Sequence, residues 1–367
     1  MKIAGIETRS YSLPLDPPFN AAWDPRPRTT FGETIVIVES DDGVRGYAGG
    51  APVPDVALLE SLLVGLDPDE IPRVFEVCQS VDFHHGRNWT VEVAVWDLVA
   101  RAAREPLWQL LGGTTDRYRA YASTGERVEP ALRVERLLAW QESGVQAAKL
   151  RFNHPDWRED LKVVEAAREA VGSGMELMVD ANQGWRMAGD LSRRWDLATA
   201  QQCARALGEL DVFWLEEPLD TADVEGYAVL RESSPVPIAA GEMVRSLSET
   251  RRLLDSVDVI QNDVVLAGGV TGGLLVAGWA GERNRVWSPH TWSTGFGLLA
   301  NMHVALASSK ADFIEVPFDP PAWTPARRDF MLPQQIEIDR EGYVSVPGGP
   351  GLGPEPDLES LERYRVA

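Results

Sequence analysis

A chain of 367 residues, 44% hydrophobic and 25% charged, has room for one large barrel with an added domain and the makeup of an ordinary globular protein. Its formal charge of -21 argues against nucleic acid or an anionic membrane surface as a partner, since both call for basic patches. Only Cys78 and Cys203 are present, which argues against a disulfide framework or a zinc-thiolate site and suits a reducing compartment.

The first seven residues lack the apolar core of a signal peptide, and no apolar run approaches the roughly 20 residues of a membrane span, so a cytoplasmic protein is expected. Residues 3–13 and 33–39 read as strands, and Asp41-Asp42-Gly43 reads as a hairpin turn into a third. Between the first two, residues 16–28 carry so many prolines that a long irregular loop is expected, a candidate lid reaching to residue 32. From 56 to 111 the spacing is helical, with Val91, Val95 and Leu98 on a broad apolar face and Gly112-Gly113 as its stop. Strands followed by helices predict an α+β domain over residues 1–115.

The pattern then changes to alternation. Strands are predicted at 118–123, 146–151, 176–180, 212–216, 238–242, 259–263, 286–290 and 313–316, with helical runs between them. Eight such units over residues 116–325 predict a (β/α)8-type barrel. The Gly- and Pro-rich end, 326–367, is expected to return to the first domain.

Several of the predicted strands end on a carboxylate. Asp180, Glu216, Glu242 and Asp263 follow one another at intervals of 36, 26 and 21 residues, near the roughly 30 of one strand-plus-helix unit. Right-handed crossovers place the C-terminal ends of parallel strands on one side, so these groups converge. Any one of them could instead pair with a base or cap a helix; three in register make a hard-oxygen set suited to Mg2+, or to Mn2+. A bound cation would reverse the local sign and admit an acidic small molecule. Asp263 and His290 end neighbouring strands 27 residues apart, and a carboxylate on one imidazole nitrogen prepares the other as a base. Lys149 and Arg151 share a strand face and could bind a substrate carboxylate, move a proton or balance the acids.

Lys149-x-Arg151, Asp180, Glu216 in Leu-Glu-Glu-Pro, Glu242 in Ala-Gly-Glu, Asp263, His290 and Glu315 together resemble the signature of the enolase superfamily, and the Asp263/His290 pair resembles its mandelate racemase subgroup. Val95-Trp96-Asp97-Leu98 extends the resemblance into the first domain, which it implies is a cap over the barrel. The resemblance implies Mg2+ on Asp180, Glu216 and Glu242, His290 with Asp263 as acid/base, Lys149 beside the substrate carboxylate, and Glu315 bonded to that carboxylate. It implies abstraction of an α-proton to give an enediolate. Racemases of the two-base kind have lysine where this chain has Arg151, and guanidinium holds its proton too tightly to be a base. Dehydration of a sugar acid, an aldonate or aldarate, to a 2-keto-3-deoxy acid is therefore the expected reaction, with racemisation or epimerisation, lactone cycloisomerisation, or metal binding without turnover as alternatives. Asn182, Asn20, Trp23, Arg26 and Trp292 are the candidate substrate contacts, with Arg28, Trp185 and Trp323 nearby in the pattern. Residues 188–200 look like an insertion. The expected partners are a small carboxylate and further copies of the chain in a homo-oligomer.

Overall fold

Alternation of apolar and polar residues builds the first sheet. In the computed structural model, which describes residues 1–366, β1 (Ile3–Phe19) and β2 (Arg28–Ser40) pair as a long antiparallel ribbon, and β3 (Arg45–Gly50) follows through a turn at Gly43, whose φ is 86°. Val36 and Val38 face the helices that follow, while Ile35 and Ile37 pack with Tyr11, Tyr47, Phe296 and Leu361 on the other face. Both faces are covered, so the run is apolar at every position.

The expected loop at 16–28 is shorter than the prolines suggest, since β1 runs through residues 16–19 and β2 begins at Arg28. Pro17 and Pro18 lie where the register shifts between Pro14/Thr30 and Phe19/Arg28, so the ladder does not need their missing N–H groups, and only residues 20–27 form the irregular tip. Four helices complete this unit: α1 (Val56–Leu63), α2 (Ile71–His85), α3 (Trp89–Ala103) and α4 (Leu107–Leu110). Two thirds of α3 is buried, and a Cβ at Gly46 would strike the α3 backbone at Ala94 and Leu98.

The remainder alternates in order: β4 (Arg117–Ser123), α5 (Pro130–Ser143), β5 (Ala147–Arg151), α6 (Trp157–Val171), β6 (Glu176–Asp180), α7 (Leu197–Gly208), β7 (Leu215–Glu216), α8 (Val224–Ser233), β8 (Ile238–Ala240), α9 (Leu247–Leu254), β9 (Val259–Ile260), α10 (Gly269–Glu282), β10 (Val286–Trp287), α11 (Gly295–Ser308) and β11 (Ile314–Pro317). The strands are parallel neighbours in the sequence β10-β9-β8-β7-β6-β5-β4-β11. Between β10 and β11 no ladder forms among the described residues, and side chains bridge the seam: Ser288 Oγ donates to the Phe313 carbonyl (3.1 Å) and Thr291 Oγ1 to the Glu315 carbonyl (2.9 Å). After β11 only a single turn, α12 (Pro325–Arg328), stands in place of an eighth long helix. The chain then adds β12 (Tyr343–Ser345) antiparallel to β4 before passing through α13 (Leu358–Leu361) to the first sheet, where Val366 N donates to Ser10 O (3.0 Å). The expected return to the amino-terminal unit is thus preceded by a strand on the barrel. No helix among the described residues is long and apolar enough to cross a membrane.

Inside the barrel the two-residue period sorts chemistry into layers. Tyr121, Ala147, Met178, Trp214, Ala239, Val259 and Phe313 form an apolar plug. Two residues further along the chain, the same faces carry Ser123, Lys149, Asp180, Glu216, Gln261 and Glu315, all buried. The cap is fixed over this layer by Glu92 of α3. Its carboxylate accepts from Val270 N (2.8 Å), Thr271 N (3.1 Å) and Trp96 Nε1 (3.0 Å), so a cap side chain satisfies the first turn of α10, which has no side-chain cap of its own. Replacing Glu92 with alanine strands these buried donors and is expected to lower the unfolding free energy by about 2–3 kcal/mol. Urea denaturation measures this, and an unchanged midpoint would mean the clamp carries no stability.

Candidate metal and acid/base site

One oxygen each from Asp180, Glu216 and Glu242 lies within 4.8 Å of the others, and all three residues are buried. Pairing in register puts Arg151, Asp180 and Glu216 side by side on β5, β6 and β7. Gly241, with φ of 105°, turns the chain off β8 and sets Glu242 beyond the ladder. Burial pushes all three carboxyls above their usual range, against the opposing pull of Arg151 on Asp180, Lys149 on Glu216 and His290 on Glu242.

Cations and donors hold this crowd together. Lys149 Nζ lies 2.5 Å from Glu216 Oε1 and 2.8 Å from Glu315 Oε1, and Arg151 pairs with Asp180. Burial alone would lower the Lys149 pKa, but Glu216 and Glu315 outweigh it and raise it, so the ammonium keeps its proton. Burial alone would raise Glu315, but Lys149, His290 and Arg151 bring it down to about 2, so it is ionised. Glu216 Oε2 also accepts from Gln261 Nε2 (2.9 Å) and Trp214 Nε1 (3.2 Å).

Across this group, His290 Nδ1 stands 3.1 Å from Asp263 Oδ2, and Nε2 stands 3.6 Å from Glu242 Oε2. Asp263 is itself oriented by Asn301 Nδ2 (2.7 Å) and Val265 N (3.0 Å). Burial works to lower the imidazole pKa, but Glu242, the bond to Asp263 and the charge of Glu315 raise it to about 9.

Arg151 occupies an aromatic slot, its guanidinium 4.7 Å from the Trp23 ring centre and 5.7 Å from that of Trp292. Its Nε donates to Thr124 O (2.7 Å) and a terminal nitrogen to Ser123 Oγ (2.9 Å). Trp23 and Trp292 belong to a cluster with Phe19 and Trp323 that joins the ribbon tip to the barrel mouth. A cavity of about 200 Å3 opens beside it, with Trp23, Arg28, Glu33, Arg151, Trp185, Met187, Glu242, His290 and Trp292 on its walls.

The other candidate contacts divide. Asn182 bonds Phe152 O (2.9 Å) and lies 3.5 Å from Arg151, joining the ends of β5 and β6 rather than lining this cavity. Asn20 and Arg26 are exposed and away from the cavity; Arg28 is the ribbon cation that reaches it. Trp185 does more than wall the pocket, since its Nε1 donates to Glu242 Oε1 at 2.5 Å. Residues 188–196 of the apparent insertion form an irregular loop leading into α7. Gln261 and Asn301 were not singled out in the sequence, although Gln261 shares its strand face with Asp263. Glu33, on the cap, gave no signal there.

The residues fit a divalent cation. Oε2 of Glu242 is buried with no hydrogen-bond partner, as is Oε2 of the adjacent Glu217, and such orphaned oxygens beside two further carboxylates make a hard-oxygen set.

Carboxylates converging at the strand ends of a barrel, roofed by a separate α+β domain, define a class of barrel enzyme with acid/base groups beside a cation site. Residues 5–112 match the family model for the mandelate racemase / muconate lactonizing enzyme N-terminal domain, and residues 133–361 match the one described as enolase C-terminal domain-like. The chain belongs to the enolase superfamily, in its mandelate racemase and muconate lactonizing enzyme branch. It is 29% identical to L-talarate/galactarate dehydratase of Salmonella typhimurium over 89% of this chain and 81% of that one. It is 30% identical to 3,6-anhydro-alpha-L-galactonate cycloisomerase of Streptomyces coelicolor over 99% of each. The crystal structure of L-talarate dehydratase from Polaromonas sp. JS666 complexed with Mg and L-glucarate superposes with a TM-score of 0.84 at 27% identity, covering 100% of this chain and 98% of that one.

In the metal-free protein His290 is expected to titrate near pH 9 by 15N NMR of the ring. Saturating Mg2+ should shift that titration to lower pH, because a cation on Glu242 cancels the charge that holds the imidazolium. A titration that does not move on adding Mg2+ would contradict metal binding at Glu242.

Proposed function

We propose that this enzyme removes the proton α to the carboxylate of a sugar acid and dehydrates the product to a 2-keto-3-deoxy acid. The observation that carries this reading is the asymmetry of the site. His290, backed by Asp263, faces the cavity on one side, and Arg151, clamped by Asp180, Thr124 and two indoles, stands where a second base would be needed. A guanidinium with a pKa above about 12 does not take a proton at neutral pH.

Asp180, Glu216 and Glu242 would hold Mg2+, and the same oxygens suit Mn2+; the cation supplies positive charge against the anion that builds on the substrate carboxylate. Lys149, kept cationic by Glu216 and Glu315, donates to the same carboxylate. Neutral His290 takes the α-proton at Nε2, leaving an enediolate and an imidazolium steadied by Asp263. The imidazolium then returns its proton to the β-hydroxyl as the C–O bond breaks, water departs, and the resulting enol ketonises. One base thus serves both halves of the reaction, which suits a site with a single imidazole.

The names of the Salmonella and Polaromonas relatives support dehydration of acid sugars. A second reading, cycloisomerisation with the same α-carbon chemistry, is favoured by the Streptomyces coelicolor relative, which matches over nearly the whole of both chains. Both thiols are buried and unpaired, which supports a reducing compartment and a cytoplasmic enzyme.

A library of acid sugars with Mg2+, scored for 2-keto acid formation, tests the reading. At least one substrate with a β-hydroxyl should give product, and His290→Asn should lower kcat by about a thousandfold with little change in KM. Unchanged turnover in His290→Asn, or activity confined to acids that lack a β-hydroxyl, would contradict it. Exchange of the α-proton in D2O without loss of water would point instead to epimerisation.

A further inference from the structure

Among the described residues Glu33 is the one carboxylate that the cap presents to the cavity, and it stands on β2 and lines the same space as His290. Protein surrounds the side chain, yet the residue keeps partial accessibility and lines the cavity. Its hydrogen bond to another side chain is the one donated by Thr294 Oγ1 to Oε2, at 2.8 Å. Among the described residues no cationic group lies within 4 Å of it.

The nearby cation does not remedy this. Arg28 shares the cavity wall, but its Nε pairs with Asp24 at 3.0 Å and its guanidinium lies 5.7 Å from the Trp23 ring centre. The cap's guanidinium at the cavity is therefore already matched by Asp24, and Glu33 is left without a cation of its own. Much of the remaining wall is indole and aliphatic surface, from Trp23, Trp185, Trp292 and Val265. An unpaired acceptor set among aromatic faces suits a chain of hydroxyls, which donate to the carboxylate and lay C–H groups against the rings. A second anionic group at this wall would meet like charge in a partly desolvated space.

We infer that Glu33 is a specificity-determining residue, which accepts a hydroxyl from a neutral polyhydroxy tail and turns away a second carboxylate, so that the site takes aldonates in preference to aldarates. This rests on the sugar-acid reading above and narrows it. It also sets the chain apart from the Polaromonas relative, whose structure holds L-glucarate, a diacid. Burial pushes the Glu33 carboxyl up to about 7, with Thr294 opposing, so a diacid entering near neutral pH would have to carry a proton in with it or leave the group charged against it.

The test measures binding apart from turnover. In a His290→Asn background with Mg2+, calorimetric titration compares D-gluconate with D-glucarate and D-galactonate with galactarate. For at least one pair the aldonate should bind about tenfold tighter or more, Glu33→Gln should close most of that gap by strengthening the aldarate, and Glu33→Asp, which keeps the charge, should retain it. Tighter binding of the aldarates, a gap that Glu33→Gln leaves unchanged, or binding of neither class would overturn the inference. The two readings separate cleanly. A Glu33-dependent preference in a protein that forms no 2-keto acid removes dehydration and keeps the binding rule, while dehydration that favours aldarates does the reverse.

Discussion

The structure depends on gathering acids where water cannot reach them. Asp180, Glu216, Glu217, Glu242 and Glu315 are buried at one end of the barrel, where unscreened like charges repel strongly. Lys149 and Arg151 neutralise part of this charge, and their placement follows from the alternation of β5, which turns residues 147, 149 and 151 to the same side. What remains is an excess of carboxylate oxygens with lone pairs left over, a hard-oxygen set that suits a divalent cation. The apolar plug beneath, from Tyr121 to Phe313, keeps water from relieving the strain from below. The cap closes it from above.

That closure explains why the amino-terminal unit is built as it is. The ribbon of β1 and β2 carries Phe19 and Trp23 to the barrel mouth, where they pack on Trp292 and Trp323 and pin Arg151 against Asp180. Glu92 bonds the cap to the start of α10, and the carboxyl-terminal segment returns to Asp97, whose carboxylate accepts from Tyr47 N (2.7 Å) and Leu352 N (2.5 Å). Cap and barrel are thus tied at points well apart, and the cavity between them takes its shape from both. An arginine held this firmly orients the acids beside it and is not free to shuttle protons.

Much of this was legible in the sequence because it follows from short-range periodicity. Strand ends bearing Asp180, Glu216, Glu242, Asp263 and His290 recur at the interval of one strand and one helix, and parallel topology then forces them together. Other features depend on long-range contact and left no local trace. Glu33 reads as an ordinary polar residue at the start of a strand until the cap is seated on the barrel. Trp185 looks like packing until its N–H is found on Glu242. The prolines at 17 and 18 suggested an irregular loop because a lost N–H matters only where the ladder needs it, and a register shift removes that need. For the same reason, Asn20 and Arg26 could not be told from Arg28 by composition: which ribbon residue faces the cavity is set by the hand of the tip.

The central claim is that the three strand-end carboxylates grip one divalent ion beside His290. Diffraction from crystals soaked with Mn2+, recorded at the manganese absorption edge, tests it most directly. The account predicts a single strong anomalous peak about 2.0–2.3 Å from an oxygen of each of Asp180, Glu216 and Glu242. A peak elsewhere, or carboxylates that stay paired with Lys149 and Arg151 and leave the ion unbound, would contradict it.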